Sequence, residues 1–202
     1  MIHYTAGRRN GKGTEAMSAA IEPVTRMDRG EYRTWAAQQG HGRFERVAGV
    51  VVAMAPERAS HNLAKGNVRD SLRQAVRRAG LPCQVFADGM TLEVDDSDYE
   101  PDCVVRCGNE PLPGDAIAVP DPLIVVEVLS PSTSAMDRAW KREAYFRLPS
   151  VRHYLIVWAD RQQVAHHRRD ERGSIETVVL MGGRLRLDPP GIEIQMEEIY
   201  AP

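Results

Sequence analysis

The most constraining feature of this sequence is a strand-like apolar run with one acidic residue in its middle. Residues 122–130 read Pro-Leu-Ile-Val-Val-Glu-Val-Leu-Ser. In a strand, successive side chains point to opposite faces, so Glu127 shares a face with Val125 and Leu129. An ionised carboxylate in such surroundings costs several kcal/mol unless it is ion-paired, hydrogen-bonded or bound to a metal ion. The pattern therefore predicts a buried strand and a partner for Glu127.

A second acidic residue opens another apolar run. Asp102 follows Pro101 and precedes Cys-Val-Val, which indicates the start of a strand. Two carboxylates at neighbouring strand ends repel each other unless a cation lies between them, and hard divalent ions bind oxygen ligands. We therefore expect Asp102 and Glu127 to share one metal ion.

A helix is predicted directly after the acidic strand. Residues 135–148 are rich in Ala, Arg and other helix-favouring residues, and a proline ends the run. Asp137, Lys141 and Tyr145 are spaced four apart, so they lie on one side of this helix. The long side chain of Lys141 is therefore expected to reach back over Glu127.

Together these motifs resemble the Uma-type restriction endonucleases, a family of the PD-(D/E)XK nuclease superfamily. The resemblance rests on Pro-Asp at 101–102, Val-Glu-Val-Leu-Ser-Pro-Ser-Thr at 126–133, Asp-x-x-x-Lys-x-x-x-Tyr at 137–145 and His-Tyr-Leu-Ile-Val at 153–157. It extends from about Arg26 to the C-terminus. One position departs from the superfamily pattern, because the lysine expected two residues after the glutamate is Leu129. The resemblance transfers the role of that lysine to Lys141.

The resemblance implies a fold, a reaction and a cofactor. The fold is α/β of the restriction endonuclease type, with a mixed central sheet flanked by helices and extra amino-terminal and carboxy-terminal β-hairpins. The reaction is hydrolysis of phosphodiester bonds in DNA by a homodimer, with Mg²⁺ (or Mn²⁺) as cofactor. Asp102 and Glu127 would hold the ion. Lys141 would orient or deprotonate the attacking water and stabilise the charge that develops on the phosphate.

Glu45 and His61 are two further candidate site residues. Segments 43–47 and 50–54 flank Ala-Gly and predict a hairpin that carries Glu45. The resemblance places a site acid in this hairpin, whereas the residues alone fit a solvated strand glutamate equally well. His61 lies near the start of a predicted helix at 56–79, on its inward side. The resemblance places a site histidine there, and a hydrogen-bonded core histidine is the alternative.

The same helix carries cationic residues at steps of four. We predict that this strip contacts the phosphates of a nucleic acid. The strip consists of Lys65, Arg69, Arg73 and Arg77, with Arg78 beside them. A solvated helix face is the alternative that the residues leave open. The apolar stripe of the helix is predicted to begin at Leu63.

The remaining segments predict short strands. Strands are expected at 84–87, 90–94, 152–158 and 164–169, with the last two paired. Segments 175–180 and 184–187 are predicted to form the carboxy-terminal hairpin, turned at Gly182-Gly183.

The composition is that of one globular domain without a membrane span. The 202 residues, 43% hydrophobic and 27% charged, fit a single domain over 26–202, whereas residues 1–25 lack periodicity and predict a flexible tail. No apolar run approaches the roughly 20 residues of a membrane span and no secretory signal is evident, so we expect a cytoplasmic protein. The three cysteines are expected to be small buried hydrophobic side chains rather than metal ligands. With a net charge of −2, the chain must meet a polyanion through local cations.

Two classes of function remain open from the sequence. The first is metal-dependent hydrolysis of phosphodiester bonds. The second is a catalytically silent, dimeric nucleic-acid-binding or interaction module on the same fold, which the slightly acidic charge and the missing Glu-x-Lys spacing leave possible. The sequence contains no Walker loop, no Gly-x-Ser-x-Gly motif and no dinucleotide fingerprint, which argues against the chemistries that those motifs serve.

Overall fold

The computed structural model describes residues 26–129 and 135–201, and only the backbone of 135–137. The predicted tail at 1–25 and the side chain of Asp137 lie outside the described residues. The helices of this part are α1 (Arg29–Gln38), α2 (Ala59–Ala79), α3 (Ala135–Arg147) and α4 (Met196–Ile199). Within the described residues, a helix long and apolar enough to cross a membrane is absent.

The strands form three sheets. They are β1 (Phe44–Val47), β2 (Val50–Ala53), β3 (Cys83–Ala87), β4 (Leu92–Val94), β5 (Ser97–Tyr99), β6 (Cys103–Cys107), β7 (Ile124–Leu129), β8 (His153–Trp158), β9 (Gln163–Arg169), β10 (Ile175–Leu180), β11 (Arg184–Leu187) and β12 (Ile192–Gln195). The largest sheet has the order β10-β9-β8-β7-β6-β3. Its pair β7 and β8 is parallel, with α3 as the crossover, and its other neighbouring pairs are antiparallel. The predicted α/β fold with a mixed central sheet is confirmed.

Apolar layers cover both faces of the central sheet. On one face, α2, α4 and the hairpin of β11 and β12 pack over Val126 and its neighbours. On the other face, Tyr145 of α3 and Leu92 of the small four-stranded sheet pack over Val125. Glu127 shares the face of Val125, as the strand alternation predicts. The second layer therefore has to provide the partners of this acid.

The predicted amino-terminal hairpin is present and belongs to the sheet β2-β1-β5-β4. Strands β1 and β2 pair around Ala48 and Gly49, which both have positive φ (48° and 79°), as a tight hairpin turn requires. Tyr32 of α1 donates a hydrogen bond to the backbone oxygen of Phe44 at 2.6 Å. This contact fixes the hairpin at the position from which Glu45 reaches the central sheet.

The predicted pairing of the carboxy-terminal hairpin is wrong. Strand β10 pairs with β9, so it extends the central sheet, and β11 pairs instead with β12. The cause is a turn in which Oδ1 of Asp170 accepts hydrogen bonds from the backbone N–H groups of Arg172 and Ser174 (2.9 and 2.8 Å). That turn folds β10 back along β9. A carboxy-terminal hairpin exists, but it consists of β11 and β12.

Two of the three cysteines differ from the prediction. Cys83 and Cys107 lie directly opposite each other on β3 and β6 and form a disulfide, so the prediction of two unpaired apolar thiols is wrong. The pairing depends on the register of two strands, which cysteine spacing does not reveal. Cys103 is a free, buried thiol, as predicted.

Candidate active site

Asp102 and Glu127 lie in one cleft on neighbouring strands. Asp102 immediately precedes β6, which is the antiparallel neighbour of β7, the strand that carries Glu127. Oδ2 of Asp102 accepts a hydrogen bond from the backbone N–H of Val128 at 2.7 Å. Each of the two acids is only 6% exposed. The fold thus brings both predicted acids to one buried place.

Glu127 has two partners on α3. Its Oε1 accepts a hydrogen bond from the hydroxyl of Tyr145 at 2.6 Å and lies 3.1 Å from Nζ of Lys141. Burial raises the pKa of Glu127 to about 7, and the Lys141 ammonium group acts against that rise. The nearby carboxylates of Asp102 and Glu45 act in the same direction as burial. The charged form of Glu127 is therefore disfavoured despite its cationic neighbour.

Glu45 approaches the site from the amino-terminal hairpin. Its Oε1 accepts a hydrogen bond from the backbone N–H of Glu100 at 3.0 Å and lies 3.0 Å from Nζ of Lys141. It is a buried residue and not a solvated one. Lys141 therefore bridges two carboxylates, Glu45 and Glu127. Its contact with Glu127 agrees with the reach that the helix spacing predicts.

His61 lies on the inward side of α2, at its first turn. Its Nε2 is 2.5 Å from the backbone oxygen of Val128 and 3.8 Å from Oδ2 of Asp102. Because a carbonyl oxygen only accepts hydrogen bonds, Nε2 carries a proton and donates it in a hydrogen bond to Val128. The buried Nδ1 makes no hydrogen bond to any residue that the structure describes, and it lies 3.8 Å from Oε2 of Glu57. The histidine is thus held against the strand of Glu127.

The prediction that Lys65 belongs to an exposed cationic strip is wrong. Lys65 is 5% exposed and its Nζ lies 3.1 Å from Oδ1 of Asp102, inside the protein. The physical reason is the helix period: four residues advance an α-helix by about 400°, so each step of four rotates the side chain by roughly 40°. The run therefore starts on the buried side at Lys65 and leaves it only farther along α2. Leu63, which was expected on the buried stripe, is instead 60% exposed.

The rest of the strip lies outside the cleft. Arg69 is half-buried and forms an ion pair with Asp70 at 2.8 Å, whereas Arg73 and Arg77 are exposed. Whether these three arginines contact nucleic acid stays a prediction.

Other cations line the cleft itself, which has a volume of about 270 Å³. Among the residues that the structure describes, the arginines in its wall are Arg58, which precedes α2, and Arg138 of α3. The acid Glu57 lies beside them. These two arginines were not predicted from the sequence. The available signal was their position at helix starts, since Arg58 directly precedes α2 and Arg138 lies in the first turn of α3.

The sequence matches the family model of Uma2, described as "Putative restriction endonuclease", over residues 29–197. This match covers more than half of the chain. The chain belongs to the Uma2 family. A relative in Synechocystis, the uncharacterized protein slr1290, is 26% identical over 181 residues, which cover 88% of this chain and 93% of the relative.

The Uma2 fold is also present in a solved structure. The crystal structure described as a putative nuclease belonging to DUF820, from Anabaena variabilis, superposes with a TM-score of 0.71 and covers 87% of this chain and 98% of that chain. At 14% sequence identity this likeness concerns the fold alone. The description of the Uma2 family model supports a nuclease function.

The donor atoms at the base of the cleft fit the divalent ions that restriction endonuclease-like proteins use. Mg²⁺ and Mn²⁺ bind oxygen ligands, and Asp102 and Glu127 offer two carboxylates beside the backbone carbonyl of Val128. The raised pKa of Glu127 means that an added cation would stabilise its charged form. In the described part of this Uma2 chain, no group of three or more His, Cys, Asp or Glu side chains is arranged to hold a metal ion by itself. Water or substrate would therefore complete the ligand set.

Proposed function

We propose that this protein is a metal-dependent endonuclease that hydrolyses phosphodiester bonds in DNA. The observation that carries the proposal is the position of Lys141, whose Nζ lies 3.1 Å from Glu127 and 3.0 Å from Glu45. A cation thus stands beside the acid of β7, although the residue two positions after it is Leu129. Membership of the Uma2 family supports the reaction class.

In this proposal the two acids at the base of the cleft hold the cofactor. Asp102 and Glu127 would bind Mg²⁺ or Mn²⁺. When bound, such an ion supplies a Lewis acid that polarises a phosphate oxygen. The Val128 N–H keeps Asp102 in place through Oδ2, and the Tyr145 hydroxyl keeps Glu127 in place through Oε1. Both carboxylates are therefore oriented before a substrate arrives.

The other side chains of the cleft act on the phosphate and on water. Two carboxylates hold the ammonium group of Lys141, so we assign Lys141 to orienting the attacking water and stabilising charge on the phosphate rather than to accepting a proton. Hydrolysis forms a bond between phosphorus and the water oxygen, with loss of a proton from that water to solvent, and breaks the bond between phosphorus and the leaving sugar oxygen, which takes up a proton. Arg58 and Arg138, in the cleft wall, are placed to bind phosphates next to the cleaved one.

One observation favours a second candidate, a module that binds nucleic acid without cleaving it. Both oxygens of Asp102 already have protein partners, Val128 N–H and Lys65, and Glu127 is bonded to Lys141 and Tyr145. A site whose acids are satisfied by the protein itself is stable without a cofactor. This candidate shares the cleft with the first and differs from it only in turnover.

A cleavage assay separates the two candidates. Purified protein is incubated with supercoiled, linear and single-stranded DNA and with duplex RNA, in Mg²⁺, in Mn²⁺ and with a chelator. We expect nicking of DNA that requires the ion and is lost in Asp102→Asn. The matched control is Asp98→Asn, which removes a carboxylate that is also buried, in an ion pair with Arg46, outside the cleft. Binding without cleavage in every ion would favour the second candidate.

We further propose that the protein acts as a homodimer. Cutting a duplex requires a cut in each strand, and a protein with one site per chain achieves this most simply with a twofold axis. Light scattering at micromolar concentration tests this, and a monomer mass would reject the dimer without touching the proposed chemistry.

A further inference from the structure

The buried side chain of Lys65 is the centre of an ion-pair cluster that joins three parts of the chain. Its Nζ lies 2.5 Å from Oε1 of Glu57, 2.7 Å from Oδ2 of Asp88 and 3.1 Å from Oδ1 of Asp102. Glu57 belongs to the segment before α2, Asp88 follows β3 and Asp102 precedes β6. One ammonium group thus connects an acid of the cleft base to the cleft wall and to a turn.

This cluster differs from an ordinary surface ion pair. Removing an ammonium group from water costs several kcal/mol unless its partners compensate for the lost hydration. For Lys65, three carboxylates provide this compensation. His61, one turn earlier on α2, is directed at the same place. Arg43 contacts two of the same acids, because its Nη1 lies 3.1 Å from Oε1 of Glu57 and 2.7 Å from Oδ2 of Asp88. The arrangement fixes Lys65 in one position and fixes its partners with it.

We propose that Lys65 is a positioning residue for Asp102, and that its charge restrains the affinity of the cleft for divalent cations. Lys65 holds Oδ1 of Asp102 while the Val128 N–H holds Oδ2, so the carboxylate has a single orientation. Each acid at the base of the cleft then has its own lysine, Lys65 for Asp102 and Lys141 for Glu127. The proposal rests on the proposed nuclease function for its effect on turnover, and it stands apart from that function in its effect on ion binding.

Two effects of opposite sign follow from this arrangement. Without the ammonium group, the cluster of carboxylates attracts a divalent cation more strongly, because a like charge close to the ligand oxygen is gone. At the same time Asp102 loses one of its two anchors, and a misplaced ligand lowers the rate of the chemical step. A residue with a merely structural role would weaken ion binding and turnover together.

The test compares Lys65→Met and Lys65→Arg with the wild type. Mn²⁺ affinity is measured by calorimetric titration, and kcat and KM are measured for nicking of supercoiled DNA. We expect Lys65→Met to bind Mn²⁺ at least about fivefold more tightly and to lose at least about tenfold in kcat. KM for DNA should stay within about twofold, since the buried Lys65 does not face substrate. Lys65→Arg, which keeps the charge, should bind Mn²⁺ as the wild type does and recover part of kcat.

Two further variants make the result decisive. Arg46→Met removes a buried cation from a buried carboxylate outside the cleft, and it should change neither Mn²⁺ affinity nor kcat. Lys65→Met combined with Asp88→Asn keeps the net charge of the cluster and serves if the single variant does not fold; it should show the same fall in kcat.

Failure of this proposal is distinct from failure of the nuclease proposal. A wild type that does not cleave DNA in any ion contradicts the nuclease function, and the Mn²⁺ titrations still rank the variants. Mn²⁺ binding to Lys65→Met that is no tighter than to the wild type, or absent in both, overturns the role of Lys65. So does a Lys65→Arg protein as impaired as Lys65→Met.

Discussion

Nζ of Lys141, on helix α3, lies 3.1 Å from Oε1 of Glu127, on strand β7. The two residues are brought together by the crossover between the parallel strands β7 and β8. Helix α3 follows β7 in the chain and packs back on the sheet face that carries Glu127, so its second turn returns to the acid. The same helix face supplies Tyr145, which also donates a hydrogen bond to Glu127.

Replacing Lys141 by methionine should separate charge from packing. Lys141→Met keeps the length of the side chain but leaves Glu45 and Glu127 without their shared cation. We expect a folded protein that is less stable by about 2 kcal/mol at pH 7 and does not cleave DNA. The loss of stability should be smaller at pH 5, where Glu127 is protonated. Urea unfolding at both pH values measures it, and an equal loss at both would contradict the assigned contact.

The Tyr145 hydroxyl should contribute more to stability than an otherwise similar tyrosine hydroxyl. In Tyr145→Phe the buried carboxyl group of Glu127 loses one of its donors, with an expected cost of about 2 kcal/mol. The matched control is Tyr32→Phe, whose hydroxyl donates over the same 2.6 Å to a neutral backbone oxygen, with an expected cost of about 1 kcal/mol. Thermal unfolding ranks the two variants. A larger loss for Tyr32→Phe would show that the bond to Glu127 is weaker than its geometry indicates.

A buried histidine pair should make the protein sensitive to mild acid. Nε2 of His153 donates to the backbone oxygen of Pro189 at 2.8 Å, so Nδ1 of His153 accepts from Nε2 of His166 at 2.8 Å. Burial lowers the pKa of His153 to about 4 and that of His166 to about 3. The unfolded chain therefore binds more protons than the folded chain below pH about 6.5. The free energy of unfolding that the neutral histidine pair contributes above pH 6.5 should therefore decrease as the pH drops from 6.5 toward 4.

The variant pair that tests this replaces both histidines by glutamine. His153→Gln with His166→Gln should be less stable at pH 7 but should lose less stability between pH 6.5 and 4 than the wild type does. The exposed His41 provides the control, since His41→Gln should leave the wild-type slope unchanged. Guanidinium unfolding across this range gives the slopes. A double variant with the wild-type slope would mean that the pair is not neutral in the folded protein.

The exposed arginines of α2 should supply part of the affinity for DNA. In Arg73→Glu with Arg77→Glu we expect weaker binding and a shallower dependence of the logarithm of affinity on the logarithm of salt concentration, because fewer phosphate-bound counterions are released. Arg168→Glu with Arg172→Glu, on exposed parts of the β9–β10 region, is the charge-matched control. Fluorescence anisotropy at several salt concentrations measures both. Equal DNA affinity and equal salt dependence of the two double variants would mean that the strip is only a solvated helix face.

The strand pattern allowed much of the site to be predicted from sequence. An acid within an apolar run has to be buried, and the spacing of Lys141 and Tyr145 on the next helix placed both side chains toward it. These inferences depend on local periodicity, which survives folding. The contact of Lys141 with Glu45 was less accessible, because it depends on how a hairpin 96 residues earlier in the chain packs against the helix.

The predictions that failed concern features that depend on the angular position of a residue around a helix, on strand register or on turns. Lys65 was assigned to the cationic strip by its spacing of four from Arg69, although its angular position on α2 lies among the buried residues. The disulfide between Cys83 and Cys107 and the pairing of β10 with β9 follow from strand register, which a single sequence specifies only through its turns. The hydrogen bonds of Asp170 are such a turn signal, and it was missed.

The most direct test of the proposed nuclease site follows nicking of supercoiled DNA while Mn²⁺ is titrated into the wild type, Glu127→Gln and Asp98→Asn. We predict that the wild type and Asp98→Asn nick DNA with a saturable dependence on Mn²⁺. Glu127→Gln should stay inactive at every concentration, although it folds and binds DNA. Nicking by Glu127→Gln at the wild-type rate, or nicking by the wild type in the presence of a chelator, would contradict a metal-dependent site at Asp102 and Glu127.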